Sequence, residues 1–179
     1  MRLHYLAALF MTLNAAAAPK ITEVHYRGSP EDDFIELFYE KEDAADDIFI
    51  TTQDNDTYKL PPVKNTHQDG AYLVIRFTEG DDDLDASDGS ALVYLNRKTS
   101  ILSESGDEVY VIEGDDGKVV DFVSYNGGNG DLVPEGFAAE EIKAGVGESL
   151  QLVDEKWLSA PPTPGSNYKP ASIYQWSLY

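Results

Sequence analysis

The chain has 179 residues, a formal net charge of −20 and no cysteine. A surface this acidic repels phosphate backbones and argues against nucleic-acid binding. The absence of cysteine excludes disulfides, a thiolate metal site, a cysteine nucleophile and a lipid-modified N-terminal cysteine.

Residues 1–18 read as a secretory signal peptide. A short basic start, Met1-Arg2-Leu3-His4, precedes nine apolar residues, 5–13 (YLAALFMTL), and then Asn14 and the small residues Ala15 to Ala18. Nine residues fall well short of the roughly 20 that span a bilayer, and the small residues suit a cleavage site. The expectation is a secreted or periplasmic protein with no transmembrane segment once the leader is removed. What remains is the size of one domain.

Residues 21–26 (ITEVHY) alternate and predict an extended segment, closed by the turn Gly28-Ser29-Pro30. Residues 34–39 (FIELFY) predict a strand apolar on both faces, with Glu36 the exception. Residues 48–52 and 57–60 flank Gln53-Asp54-Asn55-Asp56 and predict a hairpin. Residues 70–77 (GAYLVIRF) and 91–95 (ALVYL) predict two more strands joined by an acidic loop. The strongest signal is the stretch 103–125, where two extended segments fold back around Asp116-Gly117, a pair suited to a tight hairpin. Residues 126–131 form a glycine-rich loop, and 134–144 is the one stretch that predicts a turn or two of helix. Residues 149–153 (SLQLV) close the strand set, followed by Trp157. About nine strands without a long helical period predict an all-β, antiparallel β-sandwich. Leu73, Ile75, Val109, Val111, Phe122 or its neighbours, and Trp157 are its expected core residues.

Four blocks, in order, resemble the lamin-tail domain. Ile21-Thr22-Glu23-Val24 is similar to that family's opening strand, Asp33-Phe34-Ile35-Glu36-Leu37 to its second, and Gly70-Ala71-Tyr72-Leu73-Val74-Ile75 to its middle strand. The last block is Ser105-Gly106-Asp107-Glu108-Val109 through Asp121-Phe122-Val123-Ser124-Tyr125. It continues with Gly147-Glu148-Ser149-Leu150, Trp157 and Pro162-Thr163-Pro164-Gly165-Ser166-Asn167. The resemblance implies an immunoglobulin-like sandwich and a non-enzymatic role. In that family nuclear lamins carry the domain after a coiled-coil rod, and exported bacterial relatives carry it alone or beside hydrolases. The expected division is a signal peptide at 1–18, a lamin-tail-like domain at 19–167 and an aromatic tail at 168–179.

Glu23 and Glu36 stand out as candidate buried acids: Glu36 shares a strand face with Phe34 and Phe38, and Glu23 lies between Ile21 and His25. A buried carboxylate needs a partner or a raised pKa. It serves either as an acid–base group or as an acceptor for backbone N–H groups of a neighbouring loop, and the second is the expectation. His25 and His67 are 42 residues apart and show no metal-site spacing. No serine lies in a Gly-x-Ser-x-Gly context, so a hydrolytic triad is not expected. In the tail, Tyr174, Trp176 and Leu178 alternate with Ile173, Gln175 and Ser177, a pattern for a strand covering an edge or for docking on a partner. The loop 79–88 holds Asp81, Asp83 and Asp85 in D-x-D-x-D spacing, with Asp88 beyond, which suits calcium. Ala86 and Leu92 stand where an EF-hand needs glycine and glutamate, so the alternative is a solvated acidic connection.

Two function classes follow. The first is an exported, non-catalytic binding or adhesion module for a protein or glycan, with calcium as a candidate cofactor. The second is an accessory protein of an extracellular nuclease or phosphoesterase system.

Overall fold

The computed structural model describes residues 18–29, 31–40, 47–52, 57–63, 66–128, 133–138 and 142–166. The expected signal peptide, apart from Ala18, and the aromatic tail lie outside the described residues. Among the described residues there are ten strands: β1 (Lys20–His25), β2 (Phe34–Tyr39), β3 (Ile48–Thr52), β4 (Thr57–Lys59), β5 (Ala71–Arg76), β6 (Ser90–Tyr94), β7 (Asp107–Glu113), β8 (Lys118–Tyr125), β9 (Ser149–Val153) and β10 (Lys156–Ala160). They form a six-stranded sheet in the order β10-β9-β1-β2-β5-β6 and a four-stranded sheet in the order β4-β3-β7-β8. The two pack face to face as an all-β sandwich. Among the described residues no helix is long and apolar enough to cross a membrane.

The alternation of each strand decides what enters the core. Ile21, Val24, Ile35, Leu37, Leu73, Ile75 and Leu150 come from the large sheet, and Ile48, Ile50, Val109, Val111 and Val123 from the small one. At one end Tyr26 stacks on Tyr125 with ring centroids 4.0 Å apart. The β7–β8 hairpin turns through residues 114–117, where Gly114 and Gly117 sit at φ 72° and 73°, a region that glycine enters without a Cβ clash.

The structure refines the strand reading in three places. All pairings are antiparallel except β5–β6, which runs parallel with Tyr72 opposite Ser90 and Arg76 opposite Tyr94. Strand β10 was not expected: it pairs with β9 through the two-residue turn Asp154-Glu155, both at positive φ. The described part of 134–144 contains no helix.

Leu73, Ile75, Val109 and Val111 lie in the main cluster, and so does Val123, the neighbour of Phe122. Phe122 is buried instead on the outer face of the small sheet, beside Tyr110 and Phe137 at 5.0 and 5.9 Å between centroids. Trp157 is half-buried and packs on the rim of the core. Leu73→Ala is therefore expected to cost about 2–5 kcal/mol in chemical denaturation, and Trp157→Ala less than half of that. Equal losses would place the indole in the core after all.

Candidate functional site

A β-bulge in β1 builds the polar centre of the molecule. Ile21 faces Leu37, but the register then shifts so that Glu23, not Thr22, lies opposite Glu36. Simple alternation would have sent Glu23 inward with Ile21. The extra residue keeps Thr22 and Glu23 together on the outer face of the large sheet and returns Val24 to the core. Two carboxylates thus face each other on adjacent strands, each only 1% exposed.

Residues 161–166 cover them. After β10 the chain runs across the outer face of the sheet as a strap. The amide of Gln151 in β9 donates to Pro161 O at 2.6 Å. Over β1, Thr163 N–H donates to Glu23 Oε1 and Oε2 at 3.1 and 3.3 Å, and the Thr163 hydroxyl to Oε2 at 3.2 Å. Over β2, Gly165 N–H donates to Glu36 Oε2 at 2.7 Å, while Thr22 Oγ1 donates to Oε1 at 2.7 Å. Glu23 also accepts from Ser149 Oγ and from Gln151 Nε2. Gly165 ends beside Ser90 of β6. Pro161, Pro162 and Pro164 have no N–H, so the backbone donors ahead of Ser166 fall at 163 and 165, where the acids are, and Ser166 N–H closes a turn on Thr163 O.

Burial pushes both carboxyls up, opposed by these hydrogen bonds. Glu36 rises to about 8, with the neighbouring Glu23 adding to the shift. Burial thus favours the neutral form of Glu36. Asp121 also rises on burial; its Oδ2 accepts Ile21 N–H at 2.6 Å and ties β1 to the small sheet.

The acidic loop 79–88 has a visible structural task. It carries the chain from the end of β5 back along the sheet, which is why β6 runs parallel to β5. On the way it covers the outer edge of β6. The outward N–H groups of Ser90, Leu92 and Tyr94 donate to Asp88 Oδ1, Asp83 O and Asp82 Oδ1 at 3.1, 2.7 and 2.7 Å. Asp83 Oδ1 and Asp85 Oδ1 accept from Asp85 and Ser87 N–H in local Asx turns. Among the described residues no three His, Asp or Glu side chains converge as a metal site. Asp81, Asp83, Asp85 and Asp88 lie along an edge, all exposed.

His25 is buried against Phe34, with Nδ1 3.2 Å from Asp32 O, and His67 Nδ1 lies 2.9 Å from Gly70 O. Among the described residues, grooves flank the strap on several sides. One of about 300 Å³ is lined by Val74, Arg76, Ser90, Leu92 and Pro164. Another of about 320 Å³ lies across Pro164, between His25, Phe34 and Arg76. A further one, about 510 Å³, opens between Phe38, His67, Tyr72 and Ser166. Arg76 lines two of them, with its guanidinium 5.6 Å from the Phe34 ring and one long bond to Asp32 O at 3.4 Å. Sequence reasoning missed Arg76, Gln151 and the strap donors; the spacing of prolines in PPTPG was the signal for the last.

Comparison with protein families, with curated proteins and with solved structures finds no match for this chain.

Two predictions follow from this geometry. Glu36 has a folded pKa above its unfolded value, so its contribution to stability is full below about 4.5 and is lost as pH rises through about 8. Glu36→Gln keeps an acceptor for Gly165 and a donor for Thr22 but cannot ionise. Its stability relative to the parent should rise by roughly 3–5 kcal/mol from pH 5 to pH 9, and a constant difference would show that Glu36 does not titrate in this window. Asp82→Ala with Asp88→Ala removes two caps of β6, which should cost about 1–3 kcal/mol and give concentration-dependent association in sedimentation. A monomer of unchanged stability would end the edge-capping account.

Proposed function

We propose that this chain is an exported, non-catalytic binding module of the lamin-tail type, with an immunoglobulin-like arrangement of its sandwich, secreted or periplasmic. Its ligand is a protein or glycan seated in the grooves along the strap. The observation that carries the reading is Arg76, held between two grooves in a chain of net charge −20. A guanidinium braced on an aromatic ring is a directional donor for a carboxylate, hydroxyl or backbone carbonyl. Supporting it, the buried acids that would otherwise be candidates for acid–base work are engaged with Thr22, Ser149, Gln151 and the strap.

The test is capture of envelope proteins and glycans on the mature chain, repeated with Arg76→Ala. A loss of about 30-fold or more in affinity at unchanged melting temperature is expected for an anchor residue. Binding unaffected by Arg76→Ala and by Tyr72→Ala would remove the grooves from the reading. Calcium enters the proposal only through the acidic loop. A calcium-specific rise in melting temperature of about 3–5 °C at ~1 mM, absent with magnesium, would make the ion part of the module. Equal melts would leave the loop as the cap of β6.

A further inference from the structure

We propose that the C-terminal strap is a proton-controlled latch: residues 161–166 lie on the six-stranded sheet while the Glu23–Glu36 pair carries a proton, and lift from it when both carboxylates are ionised. The geometry carries the inference. The two acids are cross-strand partners, both buried, and both hold the strap through backbone N–H groups two residues apart. With one acid neutral, the pair holds at most a single buried charge. With both ionised, two like charges face each other under a lid of prolines, and water reaches them only if that lid rises.

The neighbouring elements supply little to offset the second charge. The strap has no titratable side chain, and β9 and β10 present Ser149, Gln151, Val153, Leu158 and Ala160 on this face, with the cation Lys156 exposed at its far end, two residues from Leu158. From β1, His25 acts on Glu23 but is stacked on Phe34, and Lys20 is exposed beyond the bulge. From β5, Val74 lies opposite Glu36, and Arg76 directs its guanidinium over Phe34. Asp83 and Asp88, in the groove beside Gly165, add negative charge. Once lifted, the acids are solvated and titrate as ordinary carboxylates. Raising pH therefore draws the equilibrium toward the lifted form until Glu36 ionises in the closed form as well.

Hydrogen exchange at single amides reads this directly. After correction for intrinsic exchange, the protection of Thr163 and Gly165 should fall by up to about tenfold per pH unit from pH 6 to pH 8 and level off above. The amides of Leu73 and Ile75 should keep theirs. Glu36→Gln should flatten the fall at Thr163 and Gly165. If Glu36→Gln loosens the strap at every pH, Glu23→Gln is the second arm: without the neighbouring charge, the levelling should move to lower pH. Constant protection at Thr163 and Gly165 in the parent, a slope that neither variant changes, or a fall shared with Leu73 and Ile75 would overturn the latch.

Discussion

The outer face of the large sheet depends on the placement of two carboxylates opposite each other. Glu23 and Glu36 face one another because β1 carries one residue more than its partner between Ile21 and Glu23. Burying a carboxylate without partners costs several kcal/mol, so the pair demands donors from outside the sheet. The strap provides them with a spacing set by its own composition. Residues 163–166 form a turn, with Ser166 N–H donating to Thr163 O at 3.1 Å and Gly165 at φ 81°, and this turn sets the Thr163 and Gly165 N–H groups over adjacent strands. The prolines at 161, 162 and 164 remove the N–H groups flanking Thr163 and restrict the chain before it docks, and the Ser166 N–H is taken up by Thr163 O. The acids and the strap therefore specify each other: Thr22, Ser149 and Gln151 satisfy the carboxylates only in part, and the strap N–H groups complete the set.

The same economy appears at the edge of the sheet. A parallel strand needs a return connection, and here the connection is an acidic loop with a single 3-10 turn at Ala86–Asp88 instead of an α-helix. Because it travels alongside β6, its carbonyl and carboxylate oxygens meet the N–H groups that an edge strand leaves bare. Charge at this position also disfavours pairing with a second copy of an acidic chain. The density of aspartates in 81–88 has a structural explanation before any ligand is invoked, since Asp82 and Asp88 cap β6 and Asp83 and Asp85 cap turns within the loop.

Much of the fold was legible because strand alternation and glycine turns report burial and chain reversal locally. The segments at β2, β3 and β9 carry the residues expected of them, and Gly117 takes the positive φ anticipated at the hairpin. What escaped was non-local or atypical. The β9–β10 turn uses Asp154-Glu155, residues that enter positive φ at a cost and so announce no hairpin. The parallel β5–β6 pair is set by the path of a loop, which alternation does not encode. Glu36 was recognisable as a buried acid by its place between Phe34 and Phe38. Glu23 was recognisable only as an acid in a strand, because the bulge that turns it outward depends on pairing with β2.

A cysteine-free domain cannot fasten its C-terminal segment to its first strands covalently, yet residues 163 and 165 hold positions 140 and 129 residues earlier. A disulfide across such a distance works chiefly by restricting the unfolded chain. Hydrogen bonds to buried acids restrict nothing in the unfolded state, so all of their effect lies in the folded one. The consequence is a fastening whose strength follows the solvation of two carboxyl groups. The prolines then matter twice over: they shed competing donors, and they lower the entropy lost when the segment is laid down. A sandwich closed this way can keep its core packed while the belt across its outer face responds to its surroundings.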